Sequence, residues 1–479
     1  MSLTQDSGRN WPRERVEQTA RAICDPPAIA DLLAAAANPS PDEVRDILYE
    51  AGGGRGLTAA QAATLLQVTD PSLREQVKDA ARQLHERLFA RRVRLLAPVC
   101  PTNRCINECL YCPLRRSNSR LRRTASSARD LQREVTALVD EGHRHLTLVF
   151  GEDRSGIHYV CDMVNAAYGV RSGTRRVHRV DLNLNSSHPE ELAALAQIER
   201  LGTYHVYQET YDPETYARLH VDGPKQDYAW RLTCHDRACE AGLRDVGLGV
   251  LLGLHDPRFD VLAVLIHAQY LLERYNTAAE VITYPRLLPV PGAPVTRDTS
   301  WQVDDEAFGF LIAVTRLVAP VTEIVLSTPA TPEVRRQLYA LGVSQVSVGS
   351  LSYPGVYSAD GDPEAAGSLR IGRPRNLETL VYRMCEVGFV PNFCVECYAQ
   401  IRQKLSDDSR QAERYPVHRA AANSLLALKE YLLDYASPET QNVAAGIIQE
   451  ELARLPRKVR DATLDLMEEA EAGLRGQML

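Results

Sequence analysis

The sequence contains no run near the ~20 apolar residues needed to cross a bilayer, so a membrane role is not expected. Its opening, MSLTQDSGRNWPRER, lacks the apolar core of a secretory signal, and a cytoplasmic location is the expectation. Basic charge is in deficit: the formal net charge of −7 leaves no footprint for nucleic acid. Internal repeats and low-complexity linkers are also missing. What is present is a chain of 479 residues, 44% apolar and 24% charged, which excludes intrinsic disorder and fits a large catalytic domain with smaller appendages. Thiols stay reduced in the expected compartment. Five of the eleven cysteines nevertheless fall in two tight clusters, a pattern that points to metal rather than disulfides.

The chain reads in three parts. Residues 1–92 carry apolar spacings of three and four, with helix starts at Thr58 and at Asp70-Pro71-Ser72. From 93 to 380, short apolar runs alternate with amphipathic helices. RLLAPVC, HLTLVFGED, RVDLNLNSS, TYHVYQETY, DVGLGVLLGL, AEVITYPR, TEIVLST and QVSVGS read as strands. Strand–helix alternation of this regularity predicts an α/β fold, a (β/α)8 TIM-type barrel flanked by N-terminal and C-terminal helical extensions. In such barrels, ligands sit at the C-terminal strand ends, which here carry GED, NLNSS, QETY and YPR. Residues 381–479 read as helical, with a second cysteine pair at Cys394 and Cys397.

The chemistry centres on VCPTNRCINECLYCPLRRSN, which spaces Cys105, Cys109 and Cys112 as C-x3-C-x2-C. Three thiolates on one short loop suit three irons of a 4Fe–4S cubane and leave the fourth without a protein ligand. An open iron of this kind chelates S-adenosylmethionine (SAM) and passes an electron to its sulfonium, giving a 5′-deoxyadenosyl radical. Tyr111 is the aromatic residue expected beside the last cysteine. A zinc site is the plainer alternative, but zinc normally takes four closed ligands and this set has three. Cys100 lies on the strand side and reads as a core thiol.

At this loop the sequence resembles the aromatic-amino-acid lyases of the radical SAM superfamily. They include the 2-iminoacetate synthase of thiamine biosynthesis and the tyrosine lyase of iron-iron hydrogenase maturation, and the likeness is strongest to the latter. LVFGED, YQETYDPETYARLH-x3-PKQDYAWRL, GLRDVGLGVLLGLHD, YPRLLP, LGVSQVSVGS, GFVPNFCVECY and LKEYLLDYA extend the resemblance through most of the chain. It implies that Gly151 and Glu152 meet the SAM amino group and that Glu209 and Arg231 hold SAM from neighbouring strands. A ligand with both an ammonium and a carboxylate needs one partner of each sign, and arginine offers a planar fork. A structural ion pair at the rim is the alternative for Glu209 and Arg231. Asn183 and Asn185 share a strand face, which suits either contact with the ribose or a substrate or the satisfaction of backbone groups at the strand end. An electron donor such as ferredoxin or flavodoxin and a small-molecule substrate are the implied partners.

The departures from that family are specific. Its second cluster uses C-x2-C-x22-C, yet the same count from Cys397 reaches Ala420, so one cubane is expected and a second metal site at Cys394 and Cys397 is not; His418 is the nearest substitute. The histidine that serves the second cluster is replaced by Glu280. A Ser-Thr-Arg motif for the substrate carboxylate becomes Ser327-Thr328-Pro329, and Leu351 stands after Ser350 where arginine is expected. Arg286 and Arg375 are candidates to take over. The leading expectation is a carbon–carbon lyase on tyrosine or a related aromatic amino acid, without carbon monoxide or cyanide formation. The alternatives are a radical SAM rearrangement, decarboxylation or coupling on another small substrate, and a non-catalytic iron–sulfur scaffold.

Overall fold

The computed structural model describes residues 11–297, 299–349, 353–357, 376–395 and 415–479. Five helices come first, at Arg13–Ile23, Pro26–Ala35, Pro41–Ala51, Ala59–Leu66 and Pro71–Phe89. Local chemistry starts them. The side chains of Asp25, Ser40 and Asp70 each accept a backbone N–H, and each is followed by a proline, whose missing donor costs nothing at that position. Thr58 and Gln61 satisfy each other's backbone in a capping box.

The strands are β1 (Arg92–Thr102), β2 (His145–Phe150), a hairpin of β3 (Arg171–Ser172) and β4 (Arg175–Arg176), β5 (Arg179–Asn183), β6 (Leu201–His205), β7 (Val246–Gly249), β8 (Val281–Thr283), β9 (Glu323–Leu326), β10 (Gln345–Ser347) and β11 (Val390–Asn392). Apart from the hairpin, neighbours pair in parallel, in the order β10-β9-β8-β7-β6-β5-β2-β1-β11. β1 also pairs with β10, which closes eight strands into a barrel. The barrel is the one expected from strand–helix alternation, and each of its strands overlaps an apolar run that predicts it, β1 and β6 starting two residues before theirs. β1 is long enough for three partners: β11 along 92–94, β10 along 94–96 and β2 along 97–102. β11 interrupts the segment expected to be helical; its three residues, Val-Pro-Asn, are too few to show a period. Helices at Leu377–Glu386, Tyr415–Tyr435, Pro438–Arg454 and Arg457–Glu471 complete the fold, with Tyr431 stacked on Phe393 at 4.5 Å just beyond β11. No helix among the described residues is long and apolar enough to cross a membrane.

Inside the barrel, bulk on one strand is matched by its absence on the next. A side chain on Gly247 would meet the His205 ring at 2.4 Å, and one on Gly249 would meet Tyr207 at 2.5 Å. The lower end is a buried network of charges. Arg94 meets Glu323 at 3.0 Å, Arg179 meets Glu280 at 3.1 Å and Asp181 at 2.8 Å, and His145 meets Asp181 at 2.6 Å. Above it, Leu96, Val281 and Val325 form a small apolar layer. The mouth lies beyond, at the C-terminal ends of the strands.

Candidate active site

The three cysteines sit on the loop that leaves β1, at the mouth. Two neighbours hold this loop by its backbone. The Gly151 N–H donates to the Thr102 carbonyl at 2.9 Å, and the Ile106 N–H donates to the Glu152 carbonyl at 2.8 Å. Approach is so close that a Cβ on Gly151 would lie 2.3 Å from the Arg104 carbonyl oxygen, so only glycine fits there. On the other side, the Glu108 N–H donates to the Asp222 carbonyl at 2.8 Å and the Leu110 N–H to the Leu219 carbonyl at 2.9 Å.

Asn107 ties the loop to both sides. Its Nδ2 donates to Glu152 Oε2 at 2.6 Å and lies 3.8 Å from Cys105 Sγ, while its Oδ1 accepts from the Lys225 N–H at 2.9 Å. Cys109 is buried, and its thiol is pushed up to about 11 by desolvation, with Lys225 pulling the other way. Cys112 is raised further, again by burial first and then by the two other thiols. No three His, Cys, Asp or Glu side chains among the described residues converge on a single ion. Three thiols on one loop are the donor set of a cubane with one open iron, whereas a structural zinc site takes four closed ligands.

Glu209 ends the β6 segment with φ +73°, a conformation that non-glycine residues rarely hold. Its surroundings impose it. The Leu251 N–H donates to its carbonyl at 2.8 Å, and just after it the Thr210 hydroxyl and Tyr211 N–H both donate to buried Asp260, at 3.0 and 2.7 Å. The turn points the Glu209 carboxylate at Lys225 Nζ, 2.5 Å away; Arg231 stands further off at 3.9 Å. Arg231 is buried and anchored by its Nε to the Tyr207 carbonyl at 2.7 Å. Glu209 and Arg231, expected to hold SAM with a rim ion pair as the alternative, thus stand in a three-member cluster in which Lys225 is the nearer cation.

Tyr111 is buried, with its hydroxyl 2.8 Å from His220 Nε2. His220 Nδ1 donates to the Tyr216 carbonyl at 2.8 Å, so Nε2 is the acceptor and Tyr111 the donor. Burial drops the His220 pKa to about 2, which keeps this arrangement neutral. Asn183 and Asn185 flank buried Leu184, both half-buried, as the pleat requires. Asn183 reaches the Tyr207 phenol, whose pKa burial pushes up to about 12.

The substrate candidates are less assembled. Arg286 follows β8 at the mouth, but its guanidinium is engaged by Asp305 at 2.7 Å and the Val303 carbonyl at 3.3 Å. Ser327 follows β9 and is half-buried. Ser350, Leu351, Arg375 and Cys397 lie outside the described residues. Cys394 is buried, its N–H donating to Asn392 Oδ1 at 2.9 Å, and Ala420 is buried within the Tyr415–Tyr435 helix. Glu280 belongs to the charged barrel floor, where Arg179 balances it.

Asn107, Lys225, His220 and Asp260 carry site geometry that sequence patterns did not single out. Lys225 lies in the quoted PKQDYAWRL stretch, and its place between a glutamate and an arginine was the available signal.

Comparison with known proteins agrees with this geometry. The radical SAM superfamily pattern matches residues 99–265, and that of the biotin and thiamin synthesis associated domain matches residues 283–390. The 2-iminoacetate synthase of Escherichia coli is 33% identical over 311 residues, covering 64% of this chain and 79% of that protein. The [FeFe]-hydrogenase maturase HydG superposes with a TM-score of 0.89 at 31% identity, over 96% of this chain and all of that one. HydG from Carboxydothermus hydrogenoformans gives 0.81 at 28% identity, over 94% and 99%. Loop, barrel and relatives agree, and the chain belongs to the radical SAM superfamily, within the tyrosine-lyase-like family of 2-iminoacetate synthase and HydG.

Proposed function

We propose that this protein is a cytoplasmic radical SAM carbon–carbon lyase that cleaves tyrosine or a related aromatic amino acid, yielding dehydroglycine and a cresol-type fragment. The observation that carries it is the fastening of the three-cysteine loop, through Asn107, to Glu152 on one side and to the Lys225 backbone on the other. Cys105, Cys109 and Cys112 would hold one 4Fe–4S cluster. Its chemistry, when bound with SAM, is one-electron cleavage to methionine and a 5′-deoxyadenosyl radical.

The chain's own residues do the placing. Glu152 and Glu209 offer anions for the SAM ammonium, and Arg231 and Lys225 offer cations for its carboxylate. Tyr111, fixed by His220, presents a rigid ring beside the loop. Asn183 and Tyr207 line the wall towards which the substrate's reacting atom would be aimed. Orientation and exclusion of water are what such a pocket contributes. Balanced by Arg179, Glu280 is poorly disposed to bind iron, in keeping with a lyase that makes no carbon monoxide or cyanide.

One observation favours a second reading. With Pro329 at the place of the family's arginine and Arg286 held by Asp305, neither position offers a free cation to a substrate carboxylate, which suits rearrangement or coupling of another small molecule.

The test is anaerobic reconstitution, reduction with dithionite, and incubation with SAM and tyrosine. p-Cresol with stoichiometric 5′-deoxyadenosine is expected, and both should vanish in Cys105→Ser, Cys109→Ser and Cys112→Ser. Substrate-independent 5′-deoxyadenosine without p-cresol would sink the lyase reading and leave the radical chemistry.

A further inference from the structure

We propose that the arginine-rich rim after the cluster loop is the docking surface for an acidic one-electron donor protein, of the flavodoxin kind. The proposal rests on the radical SAM reading, since only a cluster on Cys105, Cys109 and Cys112 needs an electron delivered here.

Charge is segregated in this segment. Residues 103–130 hold seven arginines against only Glu108 and Asp130, within a chain of net charge −7. The structure divides the arginines by task. Arg123 donates to the carbonyls of Asn103, Leu114 and Arg115, at 2.7, 2.8 and 2.5 Å, and so folds the segment back onto the cluster loop. Arg115 is spent on Glu108 at 2.7 Å and on the Gly292 carbonyl at 2.7 Å. Arg116 pairs with Asp222.

Others have no such task. Arg104, Arg120, Arg122, Arg154 and Arg297 are exposed and make no ion pair among the described residues. Arg120 and Arg297 both line an open cleft of about 300 Å³, whose wall also includes Ser117 and Asn118. Arg104 immediately precedes Cys105, and the Arg122 carbonyl accepts from Asn103 Nδ2 at 2.9 Å. Arg154 lies two residues beyond Glu152, whose backbone holds the loop. Exposed arginines without an ion pair among the described residues also occur elsewhere, as at Arg218, Arg244 and Arg336, but these five gather on the segments that flank the loop and its cleft.

The rim is also close to where the electron must arrive. The Arg115 N–H bonds the Cys112 carbonyl at 3.2 Å and the Arg116 N–H bonds the Asn107 carbonyl at 2.8 Å. Three residues of extended chain reach at most about 11 Å, so the start of the rim cannot lie further than that from Cys112. One electron passes from the donor's reduced carrier to the cluster, leaving the donor oxidised by one electron; no bond is made or broken. Exposed like charges concentrated at one edge attract an oppositely charged protein, with an effect that salt screens.

The experiment compares the wild-type holoenzyme with Arg120→Glu/Arg122→Glu/Arg297→Glu and with the corresponding triple lysine variant. Binding of reduced flavodoxin is measured by fluorescence anisotropy from low to high salt, alongside SAM cleavage driven by flavodoxin or by dithionite. Charge reversal is expected to raise the flavodoxin Kd about tenfold or more at low salt and to flatten its salt dependence. The lysine variant should bind nearly as wild type, and dithionite-driven cleavage should be unchanged. Equal Kd values in wild type and the reversed variant would overturn the proposal, as would inorganic phosphate binding lost in that variant with flavodoxin binding intact. Absence of dithionite-driven cleavage in wild type would refute the radical reading, while the binding data would still decide the docking surface.

Discussion

Replacing Gly151 with alanine tests whether backbone fit between β2 and the cluster loop sets the cluster's position. The new Cβ would lie 2.3 Å from the Arg104 carbonyl oxygen and 3.1 Å from its carbonyl carbon, whereas ordinary contact begins at 3.4 Å. The obstacle is main chain, which cannot rotate aside as a side chain would. About 1 Å of separation must open, and overpacking of this kind costs about 1–3 kcal/mol. The displacement falls on the residue before Cys105, in a loop also pinned at Thr102 and Glu152. A shift of about 1 Å at reacting groups can cost about 100-fold in rate. The assays are chemical denaturation, iron and sulfide content after anaerobic reconstitution, and 5′-deoxyadenosine formation. Gly446→Ala is the control: it lies in the Pro438–Arg454 helix with nothing within 4 Å, and should stabilise slightly. An unchanged denaturation midpoint and unchanged iron content in Gly151→Ala would refute the reasoning.

Three other outcomes follow from buried partners. His220→Leu should weaken SAM binding and destabilise the fold by about 1–3 kcal/mol, because the Tyr111 hydroxyl loses its acceptor; calorimetric titration with SAM checks this, and iron content should hold. Asp260→Ala should loosen the Glu209 turn and raise the KM for SAM, with Asp260→Asn retaining most of the affinity because its amide oxygen still accepts. Burial lifts the Asp260 carboxyl to about 8, so between about pH 4 and pH 8 the folded chain binds a proton that the unfolded chain has released. This contribution therefore falls as pH rises through that window, and denaturation at pH 5 and pH 8 should show a smaller loss in Asp260→Asn than in wild type. Arg179→Met should destabilise by about 3–5 kcal/mol, since Glu280 and Asp181 lose their shared cation; a loss under 1 kcal/mol in denaturant would contradict that network.

The sequence exposes features whose cause is local. Asp70 followed by Pro71 starts a helix because a cap and a preset φ act within one turn, and Thr58 with Gln61 does the same. The barrel strands show as apolar runs because they are buried on both faces. Cys105, Cys109 and Cys112 share one loop, so spacing alone exposes them. The barrel floor has no such trace: Arg94, Arg179, Glu280 and Glu323 come from four strand beginnings, and each looks like an ordinary polar strand end until the barrel closes. Lys225 escapes notice for the same reason. Its contact with Glu209 depends on a left-handed turn that is imposed by Asp260, fifty residues further on.

The three-partner strand β1 has a consequence for how the chain is made. Its pairing with β10 joins Arg94 to Gln345, about 250 residues later. At about 5–20 residues per second, a growing chain keeps that edge of β1 unpaired for roughly 10–50 s. An open strand edge is a template on which another chain can pair, and charged side chains on it discourage this. Arg92 and Arg94 stand at that edge. The arginines that lie fully buried in the finished barrel would thus be exposed during synthesis, guarding the seam until its last strand arrives.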